Sequence, residues 1–108
     1  MAKTIARFSP LTESSYYILL SLVNPLHGYG ILKKVEEMSN NRVTLAAGTL
    51  YGALSALLDN KLIALVVDDE MGNRRKTYQI TKLGRELLDH EIHRLQEMAD
   101  NGLKETKE

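Results

Sequence analysis

The stretch AAGTLYGALSALLDNKLIALVVDDEMGNRRKTYQI, residues 46–80, contains the change of hydrophobic period that decides the fold. Its first part carries a leucine stripe at the i, i+4, i+7 and i+8 spacing of one helix face: Leu50, Leu54, Leu57 and Leu58. This spacing predicts a helix over about 46–60. The run LIALVVDD at 62–69 is rich in strand-forming residues, Gly72-Asn73 is a common hairpin pair, and 76–80 alternates between polar and apolar residues. We therefore expect a helix followed by a two-stranded β-hairpin.

Two further helices are predicted upstream of this stretch. Thr12, after Pro10, can cap a helix that runs to about Val23. The apolar spacing predicts a second helix over about 27–39, which the turn-forming residues SNN at 39–41 end. The order helix, helix, turn, helix, hairpin is that of a winged helix-turn-helix. We therefore predict a mainly α fold with a small β-hairpin and a C-terminal dimerisation helix.

The first and last helices carry more apolar surface than one small domain covers. The helix after Thr12 is apolar almost all round, and a helix of this kind is covered on every side. The last helix, capped by Thr81, has an apolar stripe that steps by 4, 3 and 4 residues, as in the a/d seam of a coiled coil. We therefore predict a homodimer with an interface that contains Leu19, Leu88, Ile92, Leu95 and Ala99.

The predicted elements divide this single-domain chain of 108 residues into four parts. These are an N-terminal arm at 1–11, a winged helix-turn-helix domain at 12–80, a C-terminal dimerisation helix at 81–103 and a frayed tail at 104–108. Two tyrosines that accompany apolar stripes are expected in the core: Tyr29 and Tyr78.

The composition excludes several classes of function. The chain has no cysteine, so it has no disulfide, no thiol nucleophile and no thiolate metal site. It has no glycine-rich phosphate loop and no nucleophile beside a base, and His90 and His93 lack a third ligand. We therefore expect neither an enzyme nor a bound cofactor or metal. No apolar stretch approaches the ~20 residues that span a bilayer, and the N-terminus lacks a signal-peptide pattern, so we expect a cytoplasmic protein.

The candidate DNA-binding residues follow from the predicted fold. In helix-turn-helix proteins the second helix of the motif lies in the major groove, and its N-terminal residues reach the base edges. Here that helix offers Thr49 and Tyr51, and Lys61 follows directly after it. The hairpin becomes the wing, and we expect its three consecutive cationic residues near DNA phosphates: Arg74, Arg75 and Lys76.

Another interpretation of these residues is open. The chain has 14 Lys and Arg against 14 Asp and Glu, whereas a nucleic-acid binder usually shows a clear basic excess. The acids Asp68, Asp69 and Glu70 precede the turn and can pair with the arginines, which would leave the hairpin tip a solubilising feature. Tyr51 can pack in the protein or contact a phosphate. The alternative function is therefore a winged-helix protein-interaction module that binds no nucleic acid.

Two segments resemble the PadR family of bacterial transcriptional regulators: GTLYGALSALLDNKLI at 48–63 and GNRRKTYQITKLGREL at 72–87. YYILLSL and HGYGILKKV, earlier in the chain, resemble the first two helices of the same family, so the resemblance covers about 12–90. It implies a homodimeric repressor of nearby genes that binds double-stranded DNA. It also implies release of the DNA when a small molecule, often aromatic or cationic, binds.

The chain departs from the family pattern at two places. The recognition helix begins with Ala46-Ala47, where the family often has Ser, Asn or Pro; an alanine N-cap costs ~1 kcal/mol, so Thr44 is an alternative cap. The chain has no tryptophan, whereas multidrug-sensing relatives use a tryptophan pair to sandwich flat drugs across the dimer axis. We predict instead an effector site in a pore between the two subunits of the dimer, lined by Tyr16, Tyr17 and Met98. A small-molecule binding protein with secondary DNA binding is a further alternative.

Overall fold

A computed structural model of the protein describes residues 2–68 and 75–107. Within these ranges it contains helices α1 (Ala2–Phe8), α2 (Glu13–Ser21), α3 (Gly28–Met38), α4 (Ala47–Asp59) and α5 (Lys82–Glu105), and strands β1 (Leu26–His27), β2 (Ile63–Asp68) and β3 (Arg75–Ile80). In the helix-turn-helix unit, α3 and α4 are the two helices, and β2 and β3 form the wing. The predicted fold class is confirmed.

Local chemistry explains where the helices begin and end. Thr12 caps α2, since its side-chain oxygen accepts a hydrogen bond from the Ser15 backbone N–H. Asn40 and Asn41, with φ of 53° and 64°, turn the chain out of α3, as asparagine tolerates the left-handed region better than most residues. The N-cap of α4 is Ala46, which makes no side-chain cap hydrogen bond. The alternative cap at Thr44 is therefore wrong.

The sheet has one more strand than the sequence predicts. Its order is β1-β3-β2, all antiparallel, and β1 consists of two residues, Leu26 opposite Tyr78 and His27 opposite Thr77. A two-residue strand carries no periodic pattern, so its pairing with β3 depends on tertiary contact. The pairing anchors the wing to the segment that opens α3.

The core draws on α2, α3, α4, the sheet and the first half of α5. Leu19 and Leu88 are 0% and 1% exposed inside this core. Their prediction as dimer contacts is wrong, because no surface of either side chain is left for a second subunit. Tyr78 is buried as predicted, but the prediction for Tyr29 is wrong, since its side chain is 64% exposed.

Both ends of the chain are more ordered than the sequence suggests. The predicted arm at 1–11 contains α1, and Ile5 and Phe8 of this segment pack against the core. At the other end α5 continues through Glu105, with Thr106 as its C-cap. The predicted boundary of a frayed tail at 104 is therefore wrong by two residues.

The base of the wing is a close crossing of α5 over the segment that leaves α4. A Cβ atom at Gly84 would overlap the carbonyl oxygen of Leu62 and lie 2.8 Å from Cγ1 of Ile80. Thr81, the N-cap of α5, donates from its hydroxyl to the Lys61 carbonyl at 2.7 Å. The Thr-x-x-Gly pattern at 81–84 therefore allows the start of α5 to pack closely against the base of the wing.

A buried carboxylate joins α5 to the N-terminal segment. Glu91 is fully buried, and it accepts hydrogen bonds from the Ser9 hydroxyl at 2.7 Å and the Leu11 backbone N–H at 2.6 Å. Arg94, one turn along α5, donates to it from Nε at 2.7 Å and from Nη2 at 3.0 Å. The hydrogen bond from Arg94 is the main cause that lowers the pKa of Glu91 to about 2. Glu91 is therefore ionised in the folded protein at neutral pH.

Replacing Glu91 by glutamine tests this junction. Breaking a buried ion pair by removing one partner leaves an uncompensated charge, so we expect Glu91→Gln to lower the free energy of unfolding by about 3 kcal/mol at pH 7. The measurement is urea denaturation followed by circular dichroism. Because the folded pKa of about 2 lies below the ordinary value of 4.5, the stabilisation is present above pH 4.5 and declines as the pH falls from 4.5 to 2.

The control is Glu97→Gln, which removes an exposed carboxylate from the same helix. Surface changes of this kind usually stay within about 0.5 kcal/mol. Equal stability of the two variants at pH 7 would contradict the role assigned to Glu91.

Candidate nucleic-acid interface

The outer face of α4 is smooth and uncovered. The buried side of the helix is formed by Leu50, Leu54 and Leu57. The exposed side carries small residues, two of which have hydroxyl groups: Gly48, Thr49, Gly52, Ser55 and Ala56. A Cβ atom at Gly48 or Gly52 would have no described atom within 4 Å. The backbone of α4 can therefore approach an external surface closely along this side.

Tyr51 stands at the edge of this face, where α4 meets the start of α3. Its side chain is 51% exposed, and a Cβ atom at Gly28 would overlap its hydroxyl. The hydroxyl end of Tyr51 therefore lies close to Gly28. The exposed half leaves a phosphate contact sterically open, and that contact stays a prediction.

Tyr29 and Lys33 are two further exposed residues of the helix-turn-helix unit. The sequence analysis did not predict them as binding residues. They lie one turn apart on α3, both exposed, and the Lys33 ammonium is 6.0 Å from the centroid of the Tyr29 ring. Their i, i+4 spacing, on a different face of α3 from Ile31 and Val35, was the sequence feature that could have predicted an exposed pair. Tyr29 follows Gly28, the residue beside which the Tyr51 hydroxyl lies.

Of the three cationic residues predicted for the wing, Arg75 and Lys76 lie within the described residues. The register places Asp68 opposite Arg75 and Val67 opposite Lys76, and the Lys76 side chain is exposed. Arg74 lies outside the described residues. Asp69 and Glu70, which the solubilising interpretation would pair with the arginines, lie outside them as well.

Lys61 occupies the corner between α4 and the wing. Its backbone has a φ of 60°, which lets the chain reverse from helix to strand, and its side chain is exposed. Thr49, Tyr51 and Lys61 therefore all lie on exposed parts of α4 or its immediate end.

A cavity of about 350 Å³ lies between α2, α5 and the loop that joins α3 to α4. It is lined by Leu11, Glu13, Tyr16, Tyr17, Arg42, Glu91, Arg94 and Leu95. The rings of Tyr16 and Tyr17 meet edge to face with centroids 5.7 Å apart, and burial is the main cause that raises the pKa of Tyr16. Arg42 pairs with Glu13 across the mouth.

The cavity brings together two of the three residues predicted for an effector site. Tyr16 and Tyr17 line it, whereas Met98 lies one turn beyond Arg94, and its sulfur accepts a hydrogen bond from Nη1 of Arg94 at 3.2 Å. Across the described residues, no group of three or more potential ligands could hold a metal ion.

The second half of α5 presents an apolar stripe to the outside. Its large members are 39% to 71% exposed: Ile92, Leu95, Met98 and Leu103. Ala99 is exposed between them. Three of the five predicted dimer residues thus lie on a surface that this protomer leaves uncovered. In the part of the chain that the structure describes, no helix is long and apolar enough to cross a membrane.

The chain is similar in sequence to known proteins. Residues 18–90 match the transcriptional regulator PadR-like family. The chain is 35% identical over 88 residues to an uncharacterized 37.1 kDa protein in transposon TN4556 of Streptomyces fradiae, a match that covers 81% of this chain. The chain spans only 24% of the length of that relative.

Two solved structures show the same fold. A PadR-like transcriptional regulator from Bacillus cereus superimposes with a TM-score of 0.72 at 20% identity, over 88% of this chain and 91% of that chain. Bacillus subtilis PadR in complex with operator DNA gives a TM-score of 0.64 at 24% identity, over 76% of this chain and 47% of that chain.

The family match covers more than half of the chain and includes α3, α4 and both wing strands. The family is one of transcriptional regulators and not of enzymes. This chain therefore belongs to the PadR-like family of transcriptional regulators.

Proposed function

We propose that the protein is a homodimeric, sequence-specific DNA-binding repressor that acts in the cytoplasm. The single observation that supports DNA binding most is the uncovered face of α4, where Gly48 and Gly52 leave the helix backbone open. Tyr51 and Lys61 border this face, and Lys76 is exposed on the wing strand. The similarity of the fold to a PadR protein solved with operator DNA adds to this support.

The groove geometry follows from the dimer. In a two-fold dimer two recognition helices enter successive major grooves ~34 Å apart. Thr49, in the first turn of α4, offers a hydroxyl and a methyl group to base edges. Lys61 and the wing cations Arg74, Arg75 and Lys76 lie beside phosphates, which position the protein without reading sequence.

A charge placed on α4 tests this proposal directly. Gly52→Glu introduces a carboxylate at a position where the added Cβ atom meets no atom outside its own helix within 4 Å, and it raises helix propensity. Like charges facing each other across an interface cost several kcal/mol, so we expect DNA affinity to fall at least ~100-fold. The measurement is fluorescence anisotropy with a labelled duplex from the region upstream of the protein's own gene.

The matched control is Asn101→Glu, which adds the same charge on the exposed side of α5. It should bind DNA like the wild type. Retained binding by a folded Gly52→Glu protein would contradict the placement of α4 in the groove.

Dimerisation is proposed through the second half of α5. The exposed stripe steps by 3 and 4 residues from Ile92 through Leu95 to Ala99, as in the a/d seam of a coiled coil. Leu103 follows one turn beyond Ala99 on the uncovered side of this 24-residue helix. Apolar patches of this kind on soluble proteins mark interaction sites. A second copy offers the same stripe and is therefore the self-complementary partner.

Two lysines on the stripe test the dimer. Ala99→Lys with Leu103→Lys replaces two exposed residues one turn apart, and lysine keeps the helix propensity high. We expect the molar mass at micromolar concentration to fall from dimer to monomer in size-exclusion light scattering. Glu97→Gln with Asn101→Lys adds the same charge on the opposite side and should remain dimeric. A wild type that is monodisperse as a monomer would overturn the proposal.

Release of DNA by a small effector is proposed to use the cavity beside Tyr16 and Tyr17. Its volume of about 350 Å³ suits a small ligand. The edge-to-face tyrosine pair offers a surface on which a flat ring can pack. Because Arg42 belongs to the loop that precedes α4, a ligand in the cavity contacts both that loop and α5.

Two planar probes of opposite charge, benzoate and benzamidine, test this site. We expect at least one to shift the amide resonances of Leu11, Tyr16, Tyr17 and Leu95 in ¹H–¹⁵N correlation spectra. Tyr17→Leu should weaken these shifts, whereas Tyr29→Leu, at an exposed tyrosine elsewhere, should not. Absence of clustered shifts with these probes and a wider aromatic panel would leave the effector proposal unsupported.

The neutral net charge of the chain favours one alternative, a winged-helix module that binds protein and not DNA. The salt dependence of DNA binding separates the two functions. A dimer that neutralises several phosphates loses affinity steeply as salt rises, whereas absence of binding at low salt to both the upstream duplex and a random duplex would favour the interaction module.

A further inference from the structure

The exposed pair of Tyr29 and Lys33 lies on the side of α3 that faces away from the core. Tyr29 is 64% exposed, and among the described residues no hydrogen bond or ion pair engages either side chain. The opposite side of α3, with Ile31 and Val35, supplies the core contacts. The exposed ring of Tyr29 is therefore open to contact with an external molecule.

The pair is held in a defined geometry. The Lys33 ammonium lies 6.0 Å from the ring centroid of Tyr29, the outer limit of a cation–π contact. The i, i+4 spacing on α3 keeps the two side chains on one row of the helix. A hydroxyl and an ammonium, both hydrogen-bond donors, are thereby presented together on one exposed surface.

The location of the pair indicates what it binds. Tyr29 follows Gly28, the residue against which the Tyr51 hydroxyl packs, so the recognition helix α4 meets α3 at the residue next to Tyr29. In helix-turn-helix proteins the helix that precedes the recognition helix crosses the DNA backbone. Lysine and tyrosine are common donors to phosphate oxygens.

We propose that Tyr29 and Lys33 form a phosphate-binding pair that sets the depth and angle at which α4 enters the groove. This inference rests on the proposed DNA-binding function and names a contact that lies outside both the recognition helix and the wing. Tyr51, packed on Gly28, links the pair to α4, so a phosphate held by the pair fixes the position of α4 relative to the backbone.

Lys33 and Lys34 provide a matched comparison. Both lysines are exposed on α3, but Lys34 lies about 100° round the helix from the row of Tyr29 and Lys33. Lys33→Gln and Lys34→Gln remove the same charge from the same helix. Anisotropy titrations of each variant against the upstream duplex and a random duplex, over a series of salt concentrations, then report the number of phosphates contacted.

We expect Lys33→Gln to reduce the magnitude of the salt slope by about 1.8, because a dimer loses two phosphate contacts at about 0.9 each. Its affinity should fall by a similar factor for both duplexes, as expected for loss of a backbone contact. Tyr29→Phe should weaken binding without changing the slope, since only a neutral hydroxyl is lost. Lys34→Gln should match the wild type in slope.

DNA binding by the wild type, together with equal salt slopes for Lys33→Gln and Lys34→Gln, would contradict the phosphate-binding role of Tyr29 and Lys33. That result would not contradict the proposed DNA-binding function. Loss of affinity for the upstream duplex alone would also overturn it, because that result marks a base contact. Absence of wild-type binding to either duplex at low salt would overturn both proposals. Circular dichroism spectra of the variants separate any loss of binding from loss of fold.

Discussion

The carboxylate of Glu91 is the interaction on which the arrangement of the helices depends. It is buried and ionised, and it accepts hydrogen bonds from the segment between α1 and α2 and from Arg94 on α5. A buried charge is tolerated only when its partners are all in place. The carboxylate therefore holds the N-terminal segment against α5 directly before Ile92, where the exposed apolar stripe begins. The cavity beside Tyr16 and Tyr17 has the same carboxylate in its wall.

The neutral total charge is compatible with a DNA-binding role because charge placement matters more than charge balance. Two of the acids are paired with arginines: Glu13 with Arg42, and Glu91 with Arg94. The cations Lys33, Lys61 and Lys76 are exposed beside or near the helix-turn-helix unit. Affinity for phosphates depends on the cations that reach them, and counterion release scales with that number and not with the net charge.

The cavity and the recognition helix share a structural connection. Arg42 lies in the loop between α3 and α4, and its partner Glu13 opens α2, so the loop that leads into the recognition helix is tied to the cavity mouth. Leu95 belongs both to the cavity wall and to the exposed stripe of α5. These contacts place the proposed effector site, dimer surface and DNA-binding helix within one packed unit.

The sequence by itself determined helices α2 to α5, the two wing strands and their order, since periodicity and capping are local properties. The leucine stripe of α4, the caps Thr12 and Thr81 and the β2–β3 hairpin were all predictable, and so was the exposed Thr49 face. Only the tertiary structure decided which apolar side chains face inward. Leu19 and Leu88 lie in the core while Ile92 and Leu95 lie outside, because a stripe in sequence carries no information on which neighbour covers it. The two-residue strand β1, the exposure of Tyr29 and the buried Glu91 depend on contacts between residues far apart in the chain, which no local pattern encodes.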